Sequence, residues 1–140
     1  MKFTRKEFGK AHIEMMFVRG ENKHSDGLGG TLGEAFIPSG GGDIFFDDEE
    51  NWSPDSYISH FGNANFLAVA VHEIGHALGI NHSMKTVALM AKKVNKAWIG
   101  EVRLDFDDVQ AIQALYGAPG LPRTKHDDME EVDIETGNIK

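Results

Sequence analysis

The chain has 140 residues, which suits one domain, and 41% of them are hydrophobic, so a packed core is available and compositional disorder is excluded. Against 14 basic residues stand 22 acidic ones, a net charge of −8. That balance excludes the basic surface needed for non-specific binding to nucleic acid or an anionic membrane, and it suits calcium. With no cysteine in the chain, disulfides and thiolate ligands are excluded, and any zinc site must be built from histidines and carboxylates.

Met1 is followed by Lys-Phe-Thr-Arg-Lys, so no signal peptide is read at the start. No apolar run approaches the roughly 18–20 residues that span a bilayer. Residues 11–19 alternate loosely and predict a strand. Residues 20–30, rich in Gly, Asn, Ser and Asp, predict a loop, and residues 31–37 a short strand ended by Pro38. A turn over Ser39 to Gly42 leads into a strand over 43–47, at whose end stands the acidic run Asp47-Asp48-Glu49-Glu50. Asn65 to Ile80 is the clearest helix: Asn65 can cap it, and Phe66, Leu67, Val69, Ala70, Ile74, Ala77 and Leu78 supply an apolar face before Gly79. Residues 83–103 carry no firm period. A second helix is predicted over Phe106 to Tyr116, with Val109, Ile112 and Leu115 on one face. Asp105, Asp107 and Asp108 suit the dipole at its start. Domain organisation is read as one unit over 1–118, followed by an acidic linker or tail over 119–140.

The chemistry is concentrated in His72-Glu73-x-x-His76-x-x-Gly79-x-x-His82. Histidines four apart on a helix share a face, with Cβ atoms about 6 Å apart, so both reach one ion at about 2 Å. Glu73 lies a quarter-turn away, beside the ion rather than on it, where a general base belongs. Gly79 lets the chain leave the helix at positive φ and bring His82 round as a third ligand. Three histidines leave a fourth position open, the arrangement of a catalytic rather than a closed structural site. Zinc there would acidify a water towards pKa ~7 and polarise a peptide carbonyl, with Glu73 accepting the water's proton.

That extended motif resembles the metzincin clan of zinc proteases. Its surroundings resemble the matrixins, the matrix metalloproteinases. The likeness is carried by Ala11–Gly20 (AHIEMMFVRG), Gly29–Phe36 (GGTLGEAF), Gly41–Trp52 (GGDIFFDDEENW), the region Phe66–Met90 and Asp105–Gly117 (DFDDVQAIQALYG). The resemblance implies an α+β, metzincin-like zincin: a mixed twisted sheet with an active-site helix and a C-terminal helix. It implies that Met90, within Ala88-Leu89-Met90, is the Met-turn base beneath the zinc ligands. It implies that Asp26, Asp47 and Glu50, with backbone oxygens of Gly27, Gly29 and Thr31, hold a calcium. It also implies that Leu32, Gly33 and Ala35 belong to the strand along which substrate is laid by β-augmentation. Asp107 and Asp108 match an acidic pair at the start of the last helix, which a dipole-complementing helix start explains equally well.

Several positions depart from the family's pattern. Where matrixins hold a second, structural zinc, two histidine positions read Glu34 and Phe45. Phe45 cannot ligate, and His24 with Glu34 offers only two ligands, so loss of that zinc is expected and one catalytic zinc remains. His12 replaces an aspartate used at a second calcium, although Asp43 remains. Ala91-Lys92-Lys93-Val94 stands where the family has a Tyr-Pro-x-Tyr stretch lining the specificity pocket, and the lysines would suit an acidic or polar substrate side chain. Only ten residues precede the strand at Ala11, where the resemblance implies about two strands and a long helix. An N-terminally truncated sheet with an exposed edge is therefore expected.

Two functions follow. The first is a zinc endopeptidase acting on extracellular matrix or other secreted proteins, with a protein or peptide as its partner and a monomer as the assumed state. The second is a non-catalytic zinc-binding fragment or degenerate homologue of such a protease. By resemblance the location is extracellular, while the missing leader leaves an intracellular relative open. His60 and His126 are read as surface histidines, and Trp52 and Trp98 as packing residues.

Overall fold

The computed structural model describes residues 3–6, 9–20, 24–53, 63–93 and 102–119. The expectations for His60, Trp98, His126 and the tail from residue 120 lie outside them.

A three-stranded mixed sheet is built from β1 (Met15–Val18), β2 (Gly33–Ala35) and β3 (Ile44–Asp47) in the order β1-β3-β2. β1 runs parallel to β3 with Phe17 opposite Phe46, and β2 runs antiparallel to it with Glu34 opposite Phe45. The predicted strands are all present but shorter. Over residues 11–19 the strand is limited to Met15–Val18: its ladder starts where the Ile44 N–H meets the Glu14 carbonyl at 2.8 Å, and residues 12–13 before it are bent. Pro38–Gly40 makes a single 3-10 turn between β2 and β3. Two short parallel strands, β4 (Trp52–Ser53) and β5 (Ala64–Asn65), lead to the first helix.

That helix, α1 (Phe66–Ala77), starts as predicted: the Asn65 side chain accepts from the Ala68 N–H at 3.1 Å. Side chains alternate across a strand, so Ile44 and Phe46 point to one face of β3 and Phe45 to the other. On the first face Ile44 and Phe46 pack with Val69 and Ala77 of α1, flanked by Ile13, Leu32, Ala35, Trp52, Phe66, Ala70 and Ile74. Phe17, Phe46, Trp52 and Phe66 form an aromatic cluster with ring centroids 5.1–6.2 Å apart, and the Trp52 indole N–H donates to the Asp47 carbonyl at 2.8 Å. Trp52 is thus the packing residue expected of it.

The second helix, α2 (Phe106–Tyr116), keeps its predicted limits. Its apolar face is weaker than its spacing suggests: Val109 and Ile112 are half-buried, but Leu115 is 53% exposed. α2 is held instead by polar bonds, including the Tyr116 hydroxyl on the Leu78 carbonyl at 2.9 Å.

Candidate metal centre and active site

One helical turn brings the Nε2 atoms of His72 and His76 to 3.1 Å from each other. The chain then leaves α1 through Gly79 at φ 92°. The Ile80 N–H bonds the Gly75 carbonyl at 2.9 Å, and the Gly79 N–H bonds the His76 carbonyl at 2.8 Å. This pair of bonds is the Schellman closure, which requires a residue at ease in the left-handed region. The turn delivers His82, whose Nε2 lies 3.1 Å from that of His76. Among the described residues these three histidines are the one group whose possible ligand atoms converge, all within 4.8 Å of one another.

The tautomers favour a metal. His72 Nδ1 lies 2.7 Å from the Leu89 carbonyl oxygen, and His76 Nδ1 lies 2.8 Å from that of Ile80. A carbonyl only accepts, so in the neutral rings both Nδ1 atoms carry the proton and both Nε2 atoms are lone pairs. Lone pairs facing across 3.1 Å repel unless a proton or cation lies between them. A proton would need a charged imidazole. Burial, aided by the neighbouring His76 and His82, holds His72 below the ordinary histidine value; burial, His76 and Lys92 do the same to His82. Tetrahedral zinc at about 2.0–2.1 Å from each nitrogen sets those nitrogens about 3.3 Å apart. The observed spacing, 3.1 Å for two of the three pairs, and the donor set both fit zinc.

Glu73 is only 6% exposed, and burial together with the charge of Glu34 pushes its carboxyl up to about 7. It shares a cleft of about 600 Å³ with His72, His76, His82, Leu32, Gly33, Glu34, Ala35, Lys92 and Lys93. β2, the edge strand of the sheet among the described residues, and the three imidazoles therefore line one space.

Met90 is 3% exposed, and its sulfur packs over Gly75, where an added Cβ would overlap it. Since Gly75 lies between His72 and His76 in sequence, Met90 packs against the turn of α1 that carries both histidines. Its backbone is pinned by Asp108, also 3% exposed. Asp108 accepts from the N–H groups of Leu89 at 2.8 Å and Met90 at 3.0 Å, while closing a capping box with the Asp105 N–H at 2.8 Å. Asp107 takes a different part, accepting from the Ser83 hydroxyl and pairing with Lys85 at 3.1 Å. Sequence reading missed this division between the two aspartates. The Asp105-x-x-Asp108 spacing signals a capping box, but nothing local signals that Asp108 also reaches residue 89.

At the acidic loop, Asp47 Oδ2 accepts from the Asp26 and Gly27 N–H groups, both at 3.0 Å, and Glu50 accepts from Gly29 N–H at 2.6 Å. Asp26 accepts from the Thr31 N–H at 2.8 Å. Burial works against the Asp47 charge, but bonds from the Glu49, Gly27 and Asp26 N–H groups and the Ser25 hydroxyl outweigh it and hold the carboxyl below its usual value. The three carboxylates surround one loop without converging at ligand distance among the described residues. Asp43 accepts from the Glu14 N–H at 3.3 Å, and His12 is exposed. On the far face of β3, where a structural zinc is expected to be lost, His24 stacks on Phe45 with centroids 4.1 Å apart and planes 8° apart, and its Nδ1 meets Glu34 at 2.7 Å.

The family whose sequence profile matches is Matrixin, over residues 1–117. Interstitial collagenase of Equus caballus is 43% identical over 127 residues, 87% of this chain and 26% of the relative. Macrophage metalloelastase of Rattus norvegicus is 38% identical over 124 residues, 85% of this chain and 26% of the relative. Stromelysin-1 of Equus caballus is 42% identical over 125 residues, again 85% of this chain, and 25% of the relative. The chain thus spans about a quarter of the length of these curated relatives.

Proposed function

The chain belongs to the matrixin family, and on that premise we propose that it is a zinc-dependent endopeptidase cleaving extracellular-matrix or other secreted proteins. The observation that carries this reading is the convergence of three Nε2 atoms, two of them lone pairs because their Nδ1 protons are committed to backbone carbonyls, beside a buried carboxylate. His72, His76 and His82 would hold the ion. When bound, zinc supplies Lewis acidity that polarises a peptide carbonyl and acidifies water.

The remaining roles fall to the chain's own groups. Glu73 takes the proton of the attacking water and returns it to the leaving amine, a role that suits a carboxylate raised towards neutrality. Leu32, Gly33 and Ala35 present the free edge of β2 to an extended peptide, whose backbone pairs with it. Met90 packs against Gly75 on the helix that carries the ligands, and Asp108 holds the backbone of Leu89, whose carbonyl meets His72. Calcium is assigned to the loop of Asp26, Asp47 and Glu50, where carboxylate lone pairs not used by the amides remain available to a hard cation. The collagenase and elastase relatives motivate an extracellular substrate and location. Among the described residues no helix is long and apolar enough to cross a membrane.

The test is a peptide-library digest by the zinc-loaded chain beside its Glu73→Ala variant, with bound zinc measured in both. Cleavage by the wild type alone, at one zinc per chain, is expected. Equal rates in both proteins, or bound zinc with no turnover in either, would overturn the reading in favour of a non-catalytic zinc-binding fragment.

A further inference from the structure

We propose that the cleft beside the three histidines selects peptides bearing a carboxylate side chain close to the bond aligned with Glu73, and that Lys92 and Lys93 are the residues that select it. The proposal rests on the endopeptidase reading for the position of the peptide, but its test does not depend on turnover.

Both lysines line the cleft that holds His72, Glu73 and His82. They are exposed, and among the described residues no carboxylate lies within ion-pair distance of either. The cleft's other carboxylates are not their partners: Glu34 is held by His24 at 2.7 Å, and Glu73 is buried on α1. In a chain of net charge −8, these two adjacent cations at the cleft have no acidic partner among the described residues.

The backbone just before them is held in place. Ala88 to Ala91 are all buried, the Ser83 N–H meets the Met90 carbonyl at 2.7 Å, the Ala91 N–H meets the Ala88 carbonyl at 3.1 Å, and Asp108 clamps Leu89 and Met90. Lys92 and Lys93 therefore follow directly on a buried, hydrogen-bonded anchor that ends at Ala91. An ammonium so tethered is a partner for a carboxylate, whereas it repels a lysine or arginine of the peptide.

The experiment uses the zinc-loaded full chain with Glu73→Gln, so that peptides bind without being consumed. Fluorescent hexapeptides of one neutral frame carry Glu, Gln or Lys at each position in turn, and binding is followed by anisotropy at low and high salt. Expected is a position at which Glu binds about fivefold tighter than Gln, the gain two screened surface pairs provide. That gain should fade with salt, persist in the Lys92→Arg/Lys93→Arg variant, and turn into a preference for Lys in the Lys92→Glu/Lys93→Glu variant. Circular dichroism and retained zinc establish that the charge-reversed protein is folded. Equal binding of the three peptides, a preference that survives charge reversal, or no binding of any peptide overturns the proposal. Acid-selective binding without Glu73-dependent turnover in the wild type would support it while removing the endopeptidase reading. Turnover without charge preference would do the opposite.

Discussion

Replacing Asp108 by asparagine is expected to loosen the metal centre without touching a ligand. Three N–H groups converge on this buried carboxylate: Leu89 and Asp105 on Oδ2, both at 2.8 Å, and Met90 on Oδ1 at 3.0 Å. An amide of the same shape offers one oxygen, so in either orientation at least one N–H faces an NH₂ group. One buried donor left unsatisfied costs about 1–3 kcal/mol, and the surviving bonds lose their charge assistance, so a total of about 3 kcal/mol is expected. That is a large share of a domain stability of roughly 5–15 kcal/mol. The damage reaches zinc because the Leu89 carbonyl orients His72 at 2.7 Å and Met90 packs against the turn of α1 that carries both histidines. Groups that orient metal ligands typically change affinity about 10- to 100-fold when removed. Urea unfolding of the zinc-loaded chain and competition with a chelator measure the two effects. Asp107→Asn is the control, since that carboxylate serves Ser83 and Lys85 at a more open position and should leave zinc affinity unchanged. Unfolding of Asp108→Asn within about 0.5 kcal/mol of wild type with unchanged zinc affinity, or an equal weakening of zinc by Asp107→Asn, would refute the link between Asp108 and the metal centre.

Gly75→Ala should destabilise the chain by about 1–3 kcal/mol, because its Cβ would overlap the Met90 sulfur; an unaltered melting temperature would contradict that packing. In the zinc-free chain, burial and Glu34 raise the Glu73 carboxyl from an ordinary 4.5 to about 7, so between those values the folded state holds a proton that the unfolded state has released, and stability falls as pH rises. Glu73→Gln should remove that loss. In chelator its gain over wild type should be small at pH ~5 and reach at most about 3 kcal/mol above pH ~7, and parallel denaturation midpoints would refute the assignment. Asp47 has the opposite sign: its lowered carboxyl contributes stability above the ordinary carboxylate pKa that is lost as pH falls through the folded value, a loss that Asp47→Asn should abolish in an acid titration. Millimolar calcium should raise the melting temperature of the wild type and not of Asp47→Asn; no response in the wild type removes calcium from this loop.

The helix, its cap and its metal-ligand face were legible in the sequence because each depends on residues within one or two turns. Asn65 needs only Ala68, His72 needs only His76, and Gly79 needs only the carbonyls of Gly75 and His76. The order of elements and the matrixin likeness followed from similarly local stretches. Strand lengths did not, because pairing depends on where the partner strand lies, and the alternation of residues 11–19 runs on through the bend at residues 12–13. The tautomer of His72, the burial that raises Glu73, and the division between Asp107 and Asp108 were decided by tertiary structure alone. Each joins chemistry at one point to a carbonyl, an amide or a packed wall supplied by another element, across a sequence separation of 17 for His72 and Leu89 or 19 for Leu89 and Asp108. A 3.6-residue period carries information around a helix, but it carries none about which distant N–H a carboxylate will find once the chain has closed upon itself.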